Sequence, residues 1–187
     1  MIKTMKKVEL LPMTRQMCHE FYKDFQNDPA IGHYYEYIYA PEIADRYFAD
    51  SKELAREKVE SADILYFTGG LPDAMMDRLA EFELLDALQS FDGLVLGCSA
   101  GAMIQLREYH ITPDWDYPEF GYYNGLPWLN DFYIEVHYEE TQLQKDCIQR
   151  VLRERGKPVY AIHHDRGALI VQKGIITRLG ETELFLP

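Results

Sequence analysis

The stretch "GLVLGCSAGAMIQ", Gly93–Gln105, decides how the rest of the chain is read. Apolar residues that favour strands run to Gly97 and stop on Gly97-Cys98-Ser99-Ala100-Gly101. This fits G-x-S-x-G, the pattern of a nucleophile elbow. A serine at a sharp strand-to-helix turn sits in strained backbone, and small neighbours keep the adjoining strand and helix from colliding with it. The turn lifts the hydroxyl clear of the main chain. It also sets the hydroxyl at a helix N-terminus, where free N–H groups favour a developing negative charge. The bland alternative is a tight turn that needs small residues. The strand before and the helix predicted after are the context the functional pattern requires.

Outward from the elbow, strands and helices alternate. Asp63–Thr68 reads as a buried strand ending at Gly69-Gly70. Pro72 fits the first turn of a helix carrying Met75, Met76, Leu79, Phe82 and Leu85 inward. Before it, Ser51 caps a helix to about Ser61 with Leu54, Ala55 and Val59 inward. Lys7–Leu11 and Tyr34–Tyr39 are strand candidates, and Thr14 opens a helix that ends at Asn27-Asp28-Pro29. Downstream, Phe132–His137 alternates strictly, with Phe132, Ile134 and Val136 on one side and Tyr133, Glu135 and His137 on the other. A helix from Thr141 to Arg155 puts Leu143, Cys147, Ile148, Val151 and Leu152 inward and stops at Gly156. Val159–Ile162, Ala168–Gln172, Ile175–Leu179 and Glu183–Leu186 are the last strands, with a hairpin turn at Lys173-Gly174.

Continuous apolar strands alternating with helices predict a parallel sheet covered on both faces. In such sheets ligands bind at the carboxyl ends of strands. Gly69-Gly70, Ser99 and His137 all fall at predicted strand ends. The expectation is one α/β hydrolytic domain over residues 1–187, with 1–50 an atypical N-terminal segment.

Bulk properties exclude several classes of function. The formal net charge is -12, which repels nucleic acid. The three cysteines, Cys18, Cys98 and Cys147, lack CxxC spacing. They suit a reducing compartment better than a disulfide scaffold or a zinc knuckle. No apolar run approaches the roughly 20 residues of a membrane span, and no signal peptide is visible. A cytoplasmic protein without cofactor or metal is expected. The 14 tyrosines fit a self-association surface, as in a homodimer, and fit buried aromatics equally well.

A serine hydroxyl needs a base. His137, closing its strand on the non-apolar side, is the first candidate and His110 the second. His163 and His164, with Asp165, suggest a metal cluster, but neighbours on an extended strand point opposite ways and chelate poorly. His19 and His33 have no supporting context. The imidazole needs a carboxylate to orient it. Asp114 and Asp116 in "HITPDWDYPEF" (His110–Phe120) and Glu135 on the histidine's own strand are all eligible. The main-chain N–H groups of Gly69-Gly70 and of Ala100 are the candidate oxyanion donors.

The ordered set "ADILYFTGG" (Ala62–Gly70), "LVLGCSAGAMIQ" (Leu94–Gln105), "YHITPDWDYP" (Tyr109–Pro118), "GLPWLNDFYIEVHY" (Gly125–Tyr138) and "YAIHHDRGALIV" (Tyr160–Val171) resembles the aspartyl dipeptidase (peptidase E) and cyanophycinase family of serine peptidases. The resemblance covers Ser51–Pro187. It implies a class I glutamine-amidotransferase-like, flavodoxin-like three-layer sandwich with a mostly parallel sheet, closed by a C-terminal β-hairpin. It also implies a Ser-His-Asp/Glu triad acting on small peptides, with Ser99 as nucleophile and His137 as base. Asp114 matches the acidic position of dipeptidase E by its offset from the serine, and Asp116 is nearer the cyanophycinase spacing. Gly69-Gly70 match the oxyanion loop. Asp165 sits where relatives often carry a glutamate. In amidotransferase relatives the elbow centre is a cysteine; here it is Ser99, and Cys98, one residue early, is expected to pack inward. Ser…Asp…His is also the order of α/β-hydrolases, but the strand candidates after His137 favour the peptidase E type.

Two departures stand out. Leu71-Pro72-Asp73 follows the double glycine where relatives commonly have Asn-Thr or Asp-Gln, which leaves aspartyl-dipeptide specificity unsupported. Within Met1–Asp50, "VELLPMTRQMCHEFYKDFQNDPAI" (Val8–Ile31) and "YAPEIADRYF" (Tyr39–Phe48) look like the opening of a GNAT-type acetyltransferase. The pyrophosphate loop such an enzyme needs is not apparent, so acetyl transfer is not expected. These departures frame an alternative function, a non-catalytic small-ligand-binding protein on the same scaffold.

Overall fold

A computed structural model describes the backbone of residues 8–11 and all of 51–187 except the Asp165 side chain. The expected helix from Thr14, the strand at Tyr34–Tyr39 and the acetyltransferase-like stretch beyond Leu11 lie outside the described residues. The chain divides into two compact units, Met1–Ala102 and Met103–Pro187.

In the first unit three strands, β1 (Val8–Leu11), β2 (Ile64–Phe67) and β3 (Leu94–Gly97), form a parallel sheet in that order. Parallel neighbours need crossovers. Helix α1 (Lys52–Ser61) precedes β2, and α2 (Pro72–Glu81) and α3 (Leu85–Gln89) connect β2 to β3. Ser51 caps α1 by accepting from Leu54 N–H at 3.2 Å. Pro72 opens α2, where its missing N–H costs nothing. Leu65, Phe67, Met75, Leu79 and Leu88 are closed to solvent. Together they form the apolar interior of this unit, the main stabilising term.

The single long helix expected to reach Leu85 is broken. Glu83 takes φ 56°, and the chain restarts as α3. Leu84 is buried in place of Leu85, and Ala87 and Leu88 follow it inward. Arg56 of α1 spans the break, donating to the Glu83 carbonyl at 2.6 Å and to Asp86 Oδ1 at 2.7 Å. Leu54, expected inward on α1, is exposed. Among the described strands β3 stands at the end of the order β1-β2-β3, and Leu94 and Leu96 on it are 46% and 45% exposed.

The second unit holds two further sheets. Strands β4 (Glu108–Ile111) and β5 (Gly121–Asn124) pair antiparallel; neither was anticipated as a strand. Strands β6 (Tyr133–Tyr138), β7 (Val159–Gln172) and β8 (Ile175–Phe185) form a mixed sheet, parallel between β6 and β7 and antiparallel between β7 and β8. The four short strands expected after Gly156 fuse into the β7–β8 hairpin. Its turn places Lys173 at φ 50° and Gly174 at φ 77°, as a type I′ turn requires.

Helix α5 (Gln142–Arg155) makes the parallel crossover from β6 to β7. Thr141 and Gln144 close a reciprocal capping box, and Gly156 ends the helix at φ 61°. Ile148, Val151 and Leu152 pack with Tyr133, Tyr138, Val159 and Ala161 into one core. Leu143, expected inward, is 48% exposed.

Candidate active site

Ser99, Gly69, Gly70 and Ala100 fall in the first unit; His137 and Asp114 fall in the second. The placement of Ser99 follows from strand register. Phe67 of β2 pairs with Gly97 of β3, so both strands finish level and their following loops start side by side. Cys98 N–H donates to the Phe67 carbonyl at 3.0 Å, one step beyond β3. The chain then turns sharply. Ser99 adopts φ 51°, a left-handed conformation uncommon for a residue with a Cβ and concentrated at functional sites. Gly101 N–H closes on the Cys98 carbonyl at 2.8 Å, and Ala102 N–H on that of Ser99 at 2.9 Å.

The small residues have specific reasons. A Cβ on Gly101 would lie 2.2 Å from the Phe67 carbonyl oxygen and 2.6 Å from that of Thr68. Both are main-chain atoms that cannot step aside. A Cβ on Gly69 would lie 3.4 Å from Ser99 Cβ and 4.0 Å from Ser99 Oγ. The glycine loop therefore runs alongside the serine, as an oxyanion loop must. Gly70 holds φ 126°, a value open to glycine, and Ala100 is 1% exposed. Helix α4 (Ala100–Met103) is a single turn, much shorter than expected after an elbow. Cys98 is exposed rather than packed inward. It continues the i, i+2 face of the exposed Leu94 and Leu96.

In the second unit, strict alternation along β6 fails at the histidine. Glu135 pairs with Ala161 but Tyr138 pairs with His163, three residues on β6 against two on β7. This is a β-bulge, which re-aims side chains and recurs next to active sites. His137 sits in it at φ 50°, exposed, off the side it was expected to share with Glu135. Its carbonyl accepts from Gln144 Nε2 at 2.9 Å. Its Nδ1 lies 2.5 Å from Nδ1 of His164, with ring centroids 4.7 Å apart.

The eligible carboxylates have separate environments. Glu135 is 4% exposed. Its Oε2 meets His110 Nε2 at 2.7 Å and accepts from Thr112 Oγ1 at 2.9 Å. The second candidate base is thus engaged with Glu135 in the interior, and the Nδ1 of His110 is buried without a partner among the described residues. Asp114 is exposed; its Oδ1 accepts from the N–H groups of Asp116 and Tyr117 at 2.9 and 2.8 Å, folding its own loop. Asp116 lies exposed in that loop, and Trp115 at its tip is 99% exposed.

His163 and His164 serve different partners, as strand alternation dictates. His163 Nε2 lies 3.2 Å from Glu183 Oε1. Its ring meets that of Tyr138 edge-on at 5.2 Å. Burial, with Glu183 and Glu140 close by, pushes the Tyr138 hydroxyl up to about 12. Glu140, His163 and Glu183 bring one ligand atom each within 4.8 Å of one another, a spacing the sequence did not suggest. His164 was singled out in the sequence only as a poor chelator. Its contact with His137 was legible only in that β7 must send it to the face opposite His163.

Parallel strands joined by helices, with a left-handed serine beside a double glycine, define an α/β protein. The chain belongs to peptidase family S51, which it matches over residues 44–179. It is similar in structure to a protein assigned as peptidase E from Listeria monocytogenes EGD-e, at 18% identity and TM-score 0.55, over 95% of this chain and all of that one. It is also similar to a peptidase from an acI-B1 Actinobacterium, at 18% identity and TM-score 0.57, over 98% of this chain and 78% of that one. No curated protein matches the chain. The resemblance to peptidase E read from the sequence therefore holds at the level of family and of α/β fold. Among the described residues no helix is long and apolar enough to cross a membrane.

Proposed function

We propose that the chain is a cytoplasmic serine peptidase acting on small peptides, its two compact units serving one catalytic domain of three-layer, mostly parallel sandwich type. Ser99 Oγ attacks the scissile carbonyl while His137 Nε2 takes its proton. The N–H groups of Gly70 and Ala100 hold the oxyanion. The C–N bond breaks as His137 returns the proton to the leaving amine, and water then releases the acyl group from Ser99. The family pattern gives the orienting place to Asp114.

One observation carries the reading: Ser99 at φ 51° with Gly69 alongside its hydroxyl, at the level ends of two parallel strands. Backbone strain of this kind costs about 1–3 kcal/mol and persists where function retains it. Leu71, with no side-chain bond to the start of α2, supplies an apolar wall in place of the polar residue common in relatives. It favours substrates without an N-terminal aspartate.

Labelling with a fluorophosphonate tests the proposal. A stable adduct on Ser99, lost in Ser99→Ala and His137→Ala, is the expected result. Folded protein that takes no adduct and turns over no member of a dipeptide library refutes it. Dipeptide binding without turnover would then identify a ligand-binding protein on this scaffold.

A further inference from the structure

His163, Glu183 and Glu140 reach one place from three parts of the second unit. In the β6–β7–β8 sheet Tyr138 pairs with His163 and Ala161 with Glu183, a register that sets His163 diagonally across from Glu183. Their Nε2 and Oε1 lie 3.2 Å apart. Glu140 enters from the connection between β6 and α5, and each of the three offers a ligand atom within 4.8 Å of the others. Two ligands bound about 2.0–2.1 Å from a tetrahedral ion stand roughly 3.4 Å from each other. His163 and Glu183 therefore already hold the spacing of a shared ion. Glu140 is exposed, so rotation of its side chain closes the remaining gap. Lys145 Nζ stands 3.6 Å from Glu140 Oε2, a loose surface pair that a doubly charged ion displaces.

A second feature points to the same place. Tyr138 is 1% exposed, and its Oη is buried without a hydrogen-bond partner among the described residues. Its ring meets that of His163 edge-on, and the largest charge effects on its hydroxyl come from Glu183 and then Glu140. A buried hydroxyl is costly without a partner, and donors just outside a metal centre orient its carboxylates or its water. We propose that Glu140, His163 and Glu183 bind a divalent transition-metal ion, Zn²⁺ above all, with the Tyr138 hydroxyl donating to a ligand or to metal-bound water. One imidazole beside two carboxylates suits Zn²⁺ and disfavours Mg²⁺ and Ca²⁺, which take oxygen ligands. Three protein ligands leave one corner of the tetrahedron to water. This is a different set from the adjacent His163, His164 and Asp165, since His164 is engaged with His137. Glu140 directly precedes Thr141, the N-cap of α5, so the ion ties the start of α5 to β7 and β8. The site lies within the second unit and stands independently of the serine-peptidase reading.

The test is titration of the full chain, stripped with a chelator and desalted, with Zn²⁺ by calorimetry and with Co²⁺ by visible absorption. One ion binds at this site per chain, Co²⁺ shows the intense d–d bands of a tetrahedral centre, and Zn²⁺ raises the melting temperature as a ligand of the native state must. Glu140→Gln and Glu183→Gln, whose side chains reach solvent, keep the metal-free melting temperature and each weaken binding at least about tenfold, the lower bound for losing even an outer partner. Tyr138→Phe, which removes only the hydroxyl, weakens it by about tenfold. His163→Ala abolishes it. Cys98→Ser and His164→Ala, which remove two alternative metal-binding groups, leave it unchanged. No saturable uptake of Zn²⁺ overturns the proposal. So does an affinity unchanged in both Glu140→Gln and Glu183→Gln, or uptake lost in Cys98→Ser or His164→Ala while His163→Ala retains it. Labelling of Ser99 plays no part in these readouts, so the peptidase reading fails or stands separately.

Discussion

Glu135 Oε2 lies 2.7 Å from His110 Nε2, and the two side chains are 5% and 1% exposed. A pair this enclosed is held by structure more than by chemistry. Removing one partner leaves the other desolvated and uncompensated, at a cost of about 3–5 kcal/mol. Glu135→Ala is expected to lower the urea midpoint accordingly. Glu135→Gln, whose amide oxygen still accepts from Thr112, is expected to lose less. Denaturation curves check this, and labelling of Ser99 in the folded fraction of Glu135→Gln should persist. Loss of labelling without loss of stability would instead make Glu135 the orienting acid.

The two glycines flanking the serine should respond differently to a methyl group. At Gly101 the added Cβ would press on the Phe67 main chain at 2.2 Å, and β2 cannot retreat without breaking its pairing with β3. Gly101→Ala is expected to be insoluble or destabilised by several kcal/mol, on the scale of severe overpacking, about 3 kcal/mol or more. At Gly69 the nearest atom stands at 3.4 Å, an ordinary contact. Gly69→Ala should keep its melting temperature while labelling slows, because the methyl crowds Ser99 Oγ. Thermal melts paired with labelling rates separate the two outcomes.

Acid sensitivity should trace to Glu108. Arg155 grips it with Nε at 2.7 Å and a second nitrogen at 3.3 Å, and the Tyr133 hydroxyl donates to the same carboxylate. The Arg155 bond comes first among the causes that hold the Glu108 carboxyl below the usual range. A carboxylate depressed in the fold stabilises it above the pKa of the unfolded chain, about 4.3. That contribution is lost as pH falls through the folded value. Melting temperature should therefore decline below about pH 4.3, and Glu108→Gln should be less stable at neutral pH and flatter in acid. Parallel curves for the two proteins would exclude the assignment.

At the hairpin tip Lys173 holds a left-handed conformation that asparagine tolerates better. Lys173→Asn is expected to stabilise by about 0.5 kcal/mol. Gly174→Ala, with no atom within 4 Å of its new Cβ, should cost about 1 kcal/mol from backbone conformation alone. Urea midpoints of the two variants, moving in opposite directions, are the check.

The elements the sequence revealed are those with local punctuation. Ser51, Thr141 and Gly156 mark helix ends by their own hydrogen bonds or φ, and Lys173-Gly174 marks a turn. Ser99 was legible because a left-handed serine demands small neighbours, and those are written beside it. The bulge at His137 was not, because an inserted residue leaves a period-2 pattern intact on paper while reversing the faces beyond it. Strands β4 and β5 went unseen because EYHI and GYYN carry too few residues to show a period. The partner of His137 was undecidable for a different reason. Three carboxylates were eligible by type, and only burial reveals that one of them is already bound to another histidine.

The chain has two tryptophans, and they report on different surroundings. Trp128 is half-buried, whereas Trp115, 99% exposed, stands in water on a loop that Asp114 ties down. Its indole emission should lie at the red end and be quenched freely by iodide or acrylamide. Anything that settles over that loop, whether peptide or second protomer, would shift the emission blue and shield it. The molecule thus carries its own optical gauge of occupancy, readable before any substrate is known.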